Sequence, residues 1–429
     1  MLRAVANSSS IRAALALGLG GVAFTAGNLI LARALPSAEY GLVTLFIGIL
    51  SVASLTAPLG LDLLVARRGL PLGPPLRRAV LVASGSVAAV TAAIAAVAYD
   101  LAFDLTLALF FAIAAAGMVQ GVTAHFQGQR QFGIAAWILQ TSNFVLIPVG
   151  LVALAGGLTT ATAPAVLIAA LMVVAAAWAA LAQSALAQSG PTAAQASATP
   201  PVPCPPAIRT LWGEALALVT ITAAAAVFMQ LERLVLVPTI GIQGLALFGV
   251  VAALVGSPYR MLQAAVQFTL IPELRATPGF GERRRLLSRE LLIVGAVAGL
   301  GSIVLWVLAP RLANLFLAGR YELTDVLMLA AIVSGLLKVA SGFTTSIAVA
   351  LGDERELRWI SVTAWLSIAI ATAGAFVAAP WGLPGVLYGI AVGWLTRVVA
   401  AGWIAFPHLF DSTWRTPLIR STLGSKPSD

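Results

Sequence analysis

The chain has 429 residues, of which 60% are hydrophobic and 10% charged, and its mean hydropathy is +0.98. An ordinary soluble domain carries about 25% charged residues, so this composition excludes a soluble enzyme and makes lipid and lipid-embedded helices the solvent for most of the chain. The net charge of +9 is what Arg-rich cytoplasmic loops give a polytopic protein, and it calls for no nucleic acid.

In chain order, apolar runs lie near 12–34, 40–64, 79–99, 104–125, 132–155, 161–186, 211–237, 244–271, 290–309, 324–350, 358–379 and 383–406. A crossing needs about 20 residues, so the expected fold is an all-α polytopic membrane protein with about twelve transmembrane helices. The first run follows Arg3 and Arg12 in the manner of a signal peptide. It is longer than a usual signal core and a second run follows at once, so it is expected to be retained. The stretch Gln188–Pro206 is almost uncharged and rich in Pro, Ala, Ser and Thr, which reads as an extended linker. It divides the runs six and six: an N-terminal lobe at 1–187, a cytoplasmic linker at 188–210, and a C-terminal lobe at 211–429 ending in a short cytoplasmic tail. The connection Pro272–Arg289 contains Glu282-Arg283-Arg284-Arg285. It reads either as a surface helix or arm near anionic headgroups or as a plain topology determinant.

Charge sets the orientation. Of the 25 Lys and Arg, 18 fall on connections on the side of the amino terminus, 3 (Arg33, Arg311 and Arg320) fall on the opposite side, and 4 lie inside the runs. This bias places both termini in the cytoplasm and the acidic connection from Asp100 to Asp104 outside.

The halves also carry a weak repeat. Gly128 matches Gly352 at an offset of 224 and Gly157-Leu158 matches Gly382-Leu383 at 225, while Leu35–Gly41 matches Ile240–Ala246 at 205. Six helices return the chain to the side where it began, so such halves are related by a pseudo-two-fold axis along the membrane normal.

Catalytic chemistry is absent from the pattern. The single cysteine, Cys204, allows no intramolecular disulfide, and His125 and His408 are too far apart in sequence for zinc spacing. There is no paired carboxylate motif and no phosphate-binding glycine loop, so neither an enzyme nor a cofactor is expected.

What stands out is charge inside the membrane. Arg260, Lys338 and Arg397 sit near the middles of the eighth, tenth and twelfth runs, each costing about 2.5–3.5 kcal/mol at the bilayer centre on the insertion scale. They either snorkel and bond backbone carbonyls or face a watery cavity, where an anion such as pyrophosphate would suit them. Glu232 and Arg233, nearer the outer end of the seventh run, either join that cavity or reach the interface. Arg33 either guards the cavity mouth or snorkels. Asp62 reads as a local ion partner of Arg67 and Arg68, and Gln120, Gln140 and Asn143 as polar glue or sugar ligands. Trp137, Trp306, Trp359, Trp365, Trp381, Trp394 and Trp403 read mostly as an interfacial belt.

The stretch Leu29-Ile30-Leu31-Ala32-Arg33-Ala34-Leu35-Pro36-Ser37-Ala38-Glu39-Tyr40-Gly41-Leu42, followed by Pro58-Leu59-Gly60-Leu61-Asp62 and by Gly352-Asp353-Glu354-Arg355, resembles the polysaccharide biosynthesis flippases. These are the O-antigen, or Wzx-type, branch of the multidrug/oligosaccharidyl-lipid/polysaccharide exporter superfamily. The resemblance implies a carrier that moves an undecaprenyl-pyrophosphate-linked glycan across the lipid bilayer by alternating access, with polysaccharide polymerase or glycosyltransferase partners. On that basis Arg260, Lys338 and Arg397 would meet the pyrophosphate. A cation-coupled multidrug exporter of the same superfamily is the alternative, although residues 12–34 carry no coupling carboxylate. A peptidoglycan-precursor flippase would be expected to carry two more helices where only Pro407–Asp429 follow the twelfth run. A non-transporting membrane subunit of an export complex is a further alternative.

Overall fold

The computed structural model describes residues 9–129, 131–188, 208–277 and 279–406. The expected linker around Cys204, His408 and the tail beyond Phe406 lie outside the described residues. Every regular element among the described residues is helical. In order they are α1 (Ser9–Ala34), α2 (Ser37–Thr56), α3 (Leu61–Arg68), α4 (Pro74–Tyr99), α5 (Phe103–Gly128), α6 (Phe132–Leu139), α7 (Thr141–Phe144), α8 (Leu146–Ala155), α9 (Thr162–Gln188) and α10 (Ile208–Val251). A π-helical turn (Ala252–Gly256) leads into α11 (Ser257–Ala276), α12 (Phe280–Leu317), α13 (Asp325–Leu351) and α14 (Glu354–Ala378), and a 3-10 turn (Ala379–Trp381) into α15 (Gly382–Ala405).

Ten segments among the described residues are long and apolar enough to cross a membrane. Two of these, Leu218–Ala276 and Arg355–Ala405, run to 59 and 51 residues. At about 1.5 Å per residue each exceeds twice the roughly 30 Å hydrocarbon thickness. Both are broken where the backbone turns left-handed at a glycine: Gly241 (φ 80°, ψ 177°) inside α10 and Gly382 (φ 67°, ψ −158°) before α15. Each therefore supplies two crossings, and the described helices coincide with all twelve apolar runs. Gly157, the repeat partner of Gly382, also has a positive φ, 59°.

Boundaries differ from the sequence expectation in instructive places. The second run was expected to continue to residue 64, yet α2 stops at Thr56. Pro58 follows, and Leu59 and Gly60 take φ of 51° and 79°. The backbone therefore leaves the helix, and Asp62 falls on the separate short helix α3, outside the membrane-length segments. The fifth run is three short helices, α6 to α8. The basic arm is no separate element: α12 is 38 residues long, roughly 57 Å, so its first turns with Glu282, Arg283, Arg284 and Arg285 extend beyond a bilayer core. Arg283 Nε donates to the Thr277 carbonyl at 2.6 Å and closes the turn that precedes α12.

The described residues up to Ser257, with Arg311–Leu323, form one compact unit, and Pro258–Pro310 with the residues from Thr324 onward form the second. In the first, α10 packs along α2, α4 and α9 along α5, and α8 and α6 along α1. Leu61, Leu64, Val65, Val80, Val122 and Phe126 gather into one buried cluster there. In the second, α15 packs against both α14 and α13. The outward faces carry large exposed apolar side chains, among them Val97, Leu292 and Trp403. On a soluble protein such faces would drive aggregation; in a bilayer they are the lipid contact.

Candidate substrate-binding groups in the membrane helices

In the first unit, Glu232 and Arg233 on α10 are each only 2% exposed. Arg233 Nη1 donates to Gln230 Oε1 at 2.9 Å, and its guanidinium carbon lies 5.5 Å from the centroid of the Phe24 ring on α1. Its aliphatic stem passes Gly48 of α2, where a Cβ would stand 2.9 Å from Arg233 Cδ. Both side chains are thus covered by the first unit's own helices. Gln230 and Phe24 were not singled out from the sequence. Gln230 was legible in principle, since it stands three residues before Arg233 on one helix face.

Arg33 is exposed at the end of α1. It donates to the Phe316 carbonyl at 3.3 Å, and Arg320 donates to the Arg33 carbonyl at 2.9 Å. One turn into α2, Tyr40 meets Tyr321 edge to face, with centroids 6.4 Å apart. Arg33 thus ties the segment 311–323 to the ends of α1 and α2. Burial raises the pKa of the Tyr321 phenol, opposed by the nearby Arg320 guanidinium. Glu39, also in the first turn of α2, accepts from the Ala161 amide at 2.6 Å and holds the chain entering α9.

The second unit holds the other three cations. Lys338 on α13 is 8% exposed, and its Nζ lies 5.7 Å from the ring centroid of Trp394 on α15, which is 1% exposed. Arg397 follows one turn later on α15, and Arg260 sits on α11, both half-buried. Helix α11 passes close to the Lys338 face of α13: a Cβ at Gly335 would collide with the Tyr259 ring, and one at Gly342 would stand 2.6 Å from Gln263 Cγ. Tyr259 in turn shares a 2.6 Å hydrogen bond with Ser302 of α12. The carboxylates on α11 and α13 are terminal, Glu273 and Asp325, and α15 has none. The three helices thus carry an ammonium and two guanidiniums within one unit.

Trp394 departs from the expected aromatic belt. The other six tryptophans of that set are exposed, whereas Trp394 is covered and meets Lys338 through its ring face. Its position in mid-run, three residues before Arg397, was the available signal. Of the weaker candidates, Asn143 Nδ2 donates to Gln140 Oε1, and a Cβ at Gly20 would collide with Gln140, so both serve the packing of α1 against α7. No group of three or more His, Cys, Asp or Glu side chains gathers among the described residues.

No family model matches the chain, and no curated protein matches it. Solved structures do. The lipid II flippase MurJ in its inward closed conformation aligns with a TM-score of 0.63 at 11% identity, over 93% of this chain and 91% of that one. A MATE protein in complex with MaD5 gives 0.62 at 14% identity, over 93% and 95%. An inward-facing multidrug resistance MATE family transporter of the MOP superfamily gives 0.59 at 13%, over 90% and 94%. The fold is that of the MATE and MurJ carriers. At these identities the likeness is one of fold, and it covers nearly the full length of both partners. The MOP-type fold belongs, in these relatives, to membrane transporters and a lipid flippase rather than to enzymes. In this chain it is a multi-pass membrane fold whose second unit carries Arg260, Lys338 and Arg397 within its apolar runs.

Proposed function

We propose that the chain is a flippase that carries a polyprenyl-pyrophosphate-linked oligosaccharide across the bacterial cytoplasmic membrane by alternating access, for assembly of a surface polysaccharide such as O-antigen or exopolysaccharide. The observation that carries this reading is Lys338, enclosed in a membrane helix against Trp394, with Arg260 and Arg397 on two further helices of the same unit. A pyrophosphate offers several anionic oxygens to such groups, and Arg forks with a Lys point charge hold it well. The polyprenyl tail stays in the lipid, so the carrier has to bury only the polar headgroup. Glu232, Arg233 and Arg33 of the first unit are assigned as further substrate-binding groups. Both termini and the Arg-rich connections face the cytoplasm in this reading, and polymerase or glycosyltransferase partners act on either side of the flipping step. The MurJ likeness supports a lipid-linked substrate by fold.

A cation-coupled multidrug exporter is the second reading, favoured by the burial of the Glu232 carboxylate. The lipid-linked oligosaccharide pool of a deletion strain separates the two. Accumulation of the completed repeat unit on its cytoplasmic-facing carrier, with loss of surface polysaccharide and recovery on complementation, is expected. An unchanged pool with altered sensitivity to amphiphilic drugs would make the exporter reading the right one. In the same strain Lys338→Ala should insert normally yet restore transport poorly, because losing a charged hydrogen bond of about 1.5–3 kcal/mol corresponds to roughly a ten- to hundredfold loss of affinity. Normal polysaccharide from an Arg260→Ala, Lys338→Ala, Arg397→Ala triple variant would sink the cationic site and leave a non-transporting subunit as the better account.

A further inference from the structure

Two buried polar side chains, Ser334 and Gln263, flank Lys338. Ser334 on α13 is 3% exposed, Gln263 on α11 is 4% exposed, and neither Ser334 Oγ nor Gln263 Oε1 has a hydrogen-bond partner within the protein. Ser334 stands four residues before Lys338, while Gln263 lies against Gly342, four residues after it. The eight residues from Ser334 to Gly342 advance about 12 Å along the helix. Lys338 therefore has an unsatisfied polar group roughly one helical turn to either side.

Buried polar atoms in folded proteins are overwhelmingly hydrogen-bonded, and one left without a partner is costly. A partner for Gln263 Oε1 from outside the protein brings a donor, and Ser334 Oγ can donate or accept. Of the parts of a lipid-linked glycan, an ionised pyrophosphate has only acceptor oxygens and a polyprenyl tail has no polar atoms. A sugar hydroxyl both donates and accepts. We infer that Ser334 and Gln263 hydrogen-bond the hydroxyls of the sugar joined to the pyrophosphate, while Lys338 between them holds the phosphate. This makes the two residues determinants of substrate choice: they distinguish a loaded carrier from a bare one. The inference rests on the lipid-linked reading given above.

The test uses the purified full chain and two probes, undecaprenyl pyrophosphate and undecaprenyl pyrophosphate bearing one N-acetylhexosamine, with affinities read by native mass spectrometry. The unaltered chain should prefer the sugar-bearing probe about tenfold or more. Gln263→Leu and Ser334→Ala should each erase most of that preference while keeping the affinity for the bare carrier, whereas Lys338→Ala should weaken both probes together. Retention of the full preference in both variants overturns the assignment, as does equal binding of the two probes by the unaltered chain, which leaves the flippase reading standing. Binding of neither probe by the unaltered chain removes the lipid-linked reading itself and the assignment with it. If Gln263→Leu binds neither probe, Ser334→Ala, which loses only one oxygen, decides.

Discussion

Burial pushes the Asp62 carboxyl up to about 6 from 3.8, against the lowering pull of the backbone amides around Leu63. The folded chain therefore holds a proton through a range in which the unfolded chain has released it. Stability falls as the pH rises from about 3.8 through about 6 and is flat above. Two pKa units correspond to about 3 kcal/mol. Asp62→Asn should consequently raise the unfolding temperature in detergent at pH 8, by the equivalent of up to ~3 kcal/mol, and leave it nearly unchanged at pH 4. An equal gain at both pH values would mean that the carboxyl is not the cause. Single residues were unevenly legible in the sequence. Arg260, Lys338 and Arg397 announced themselves because a charge in mid-run has few explanations. Trp394, Ser334 and Gln263 did not, because a tryptophan or a small polar residue in an apolar run serves packing, interface anchoring and binding alike. The burial of Glu232 and Arg233 depended on which helices cover the middle of α10, and that is a property of packing rather than of spacing.

The short motifs that carry the resemblance to flippases turn out to be the joints between helices. Pro36 starts α2, Glu39 holds the entry to α9, and Gly41 leaves room for the Ile242 backbone of α10. Asp353 and Glu356 form a reciprocal capping box at the start of α14, with both bonds at 2.8 Å. Such joints need particular residues, while the helices between them need only be apolar, which is why the number of crossings was readable and their ends were not. The stop at Thr56 required Leu59 and Gly60 in left-handed conformations, and only Gly60 hints at that in the sequence. The segment 311–323 is a joint of another kind, fastened by the bond from Arg33 to the Phe316 carbonyl and the bond from Arg320 to the Arg33 carbonyl. In a chain carrying Cys204→Ser and Ser37→Cys, the additional change Arg320→Ala should speed labelling by a membrane-impermeant maleimide on intact cells several-fold. An unaltered rate would show that the arginine bond does not hold the segment closed.

For the molecule as a whole, composition and the twelve apolar runs sufficed for the fold class, because few arrangements accept so much apolar surface with so little charge. The grouping of helices into compact units is another matter. The gap between the sixth and seventh runs is the obvious place to divide the sequence, yet α10 lies beyond that gap and packs along α2 in the first unit. The covalent seam and the packing seam are thus in different places. A break in the chain between α9 and α10 would cut through a packed unit instead of between two. Fragments 1–195 and 196–429 expressed as separate polypeptides should therefore be recovered on one affinity tag and restore activity together, and recovery of the tagged fragment alone would contradict this. For the first unit, the peptide bonds between α9 and α10 are then a convenience of synthesis, and its integrity resides in the contact of α10 with α2.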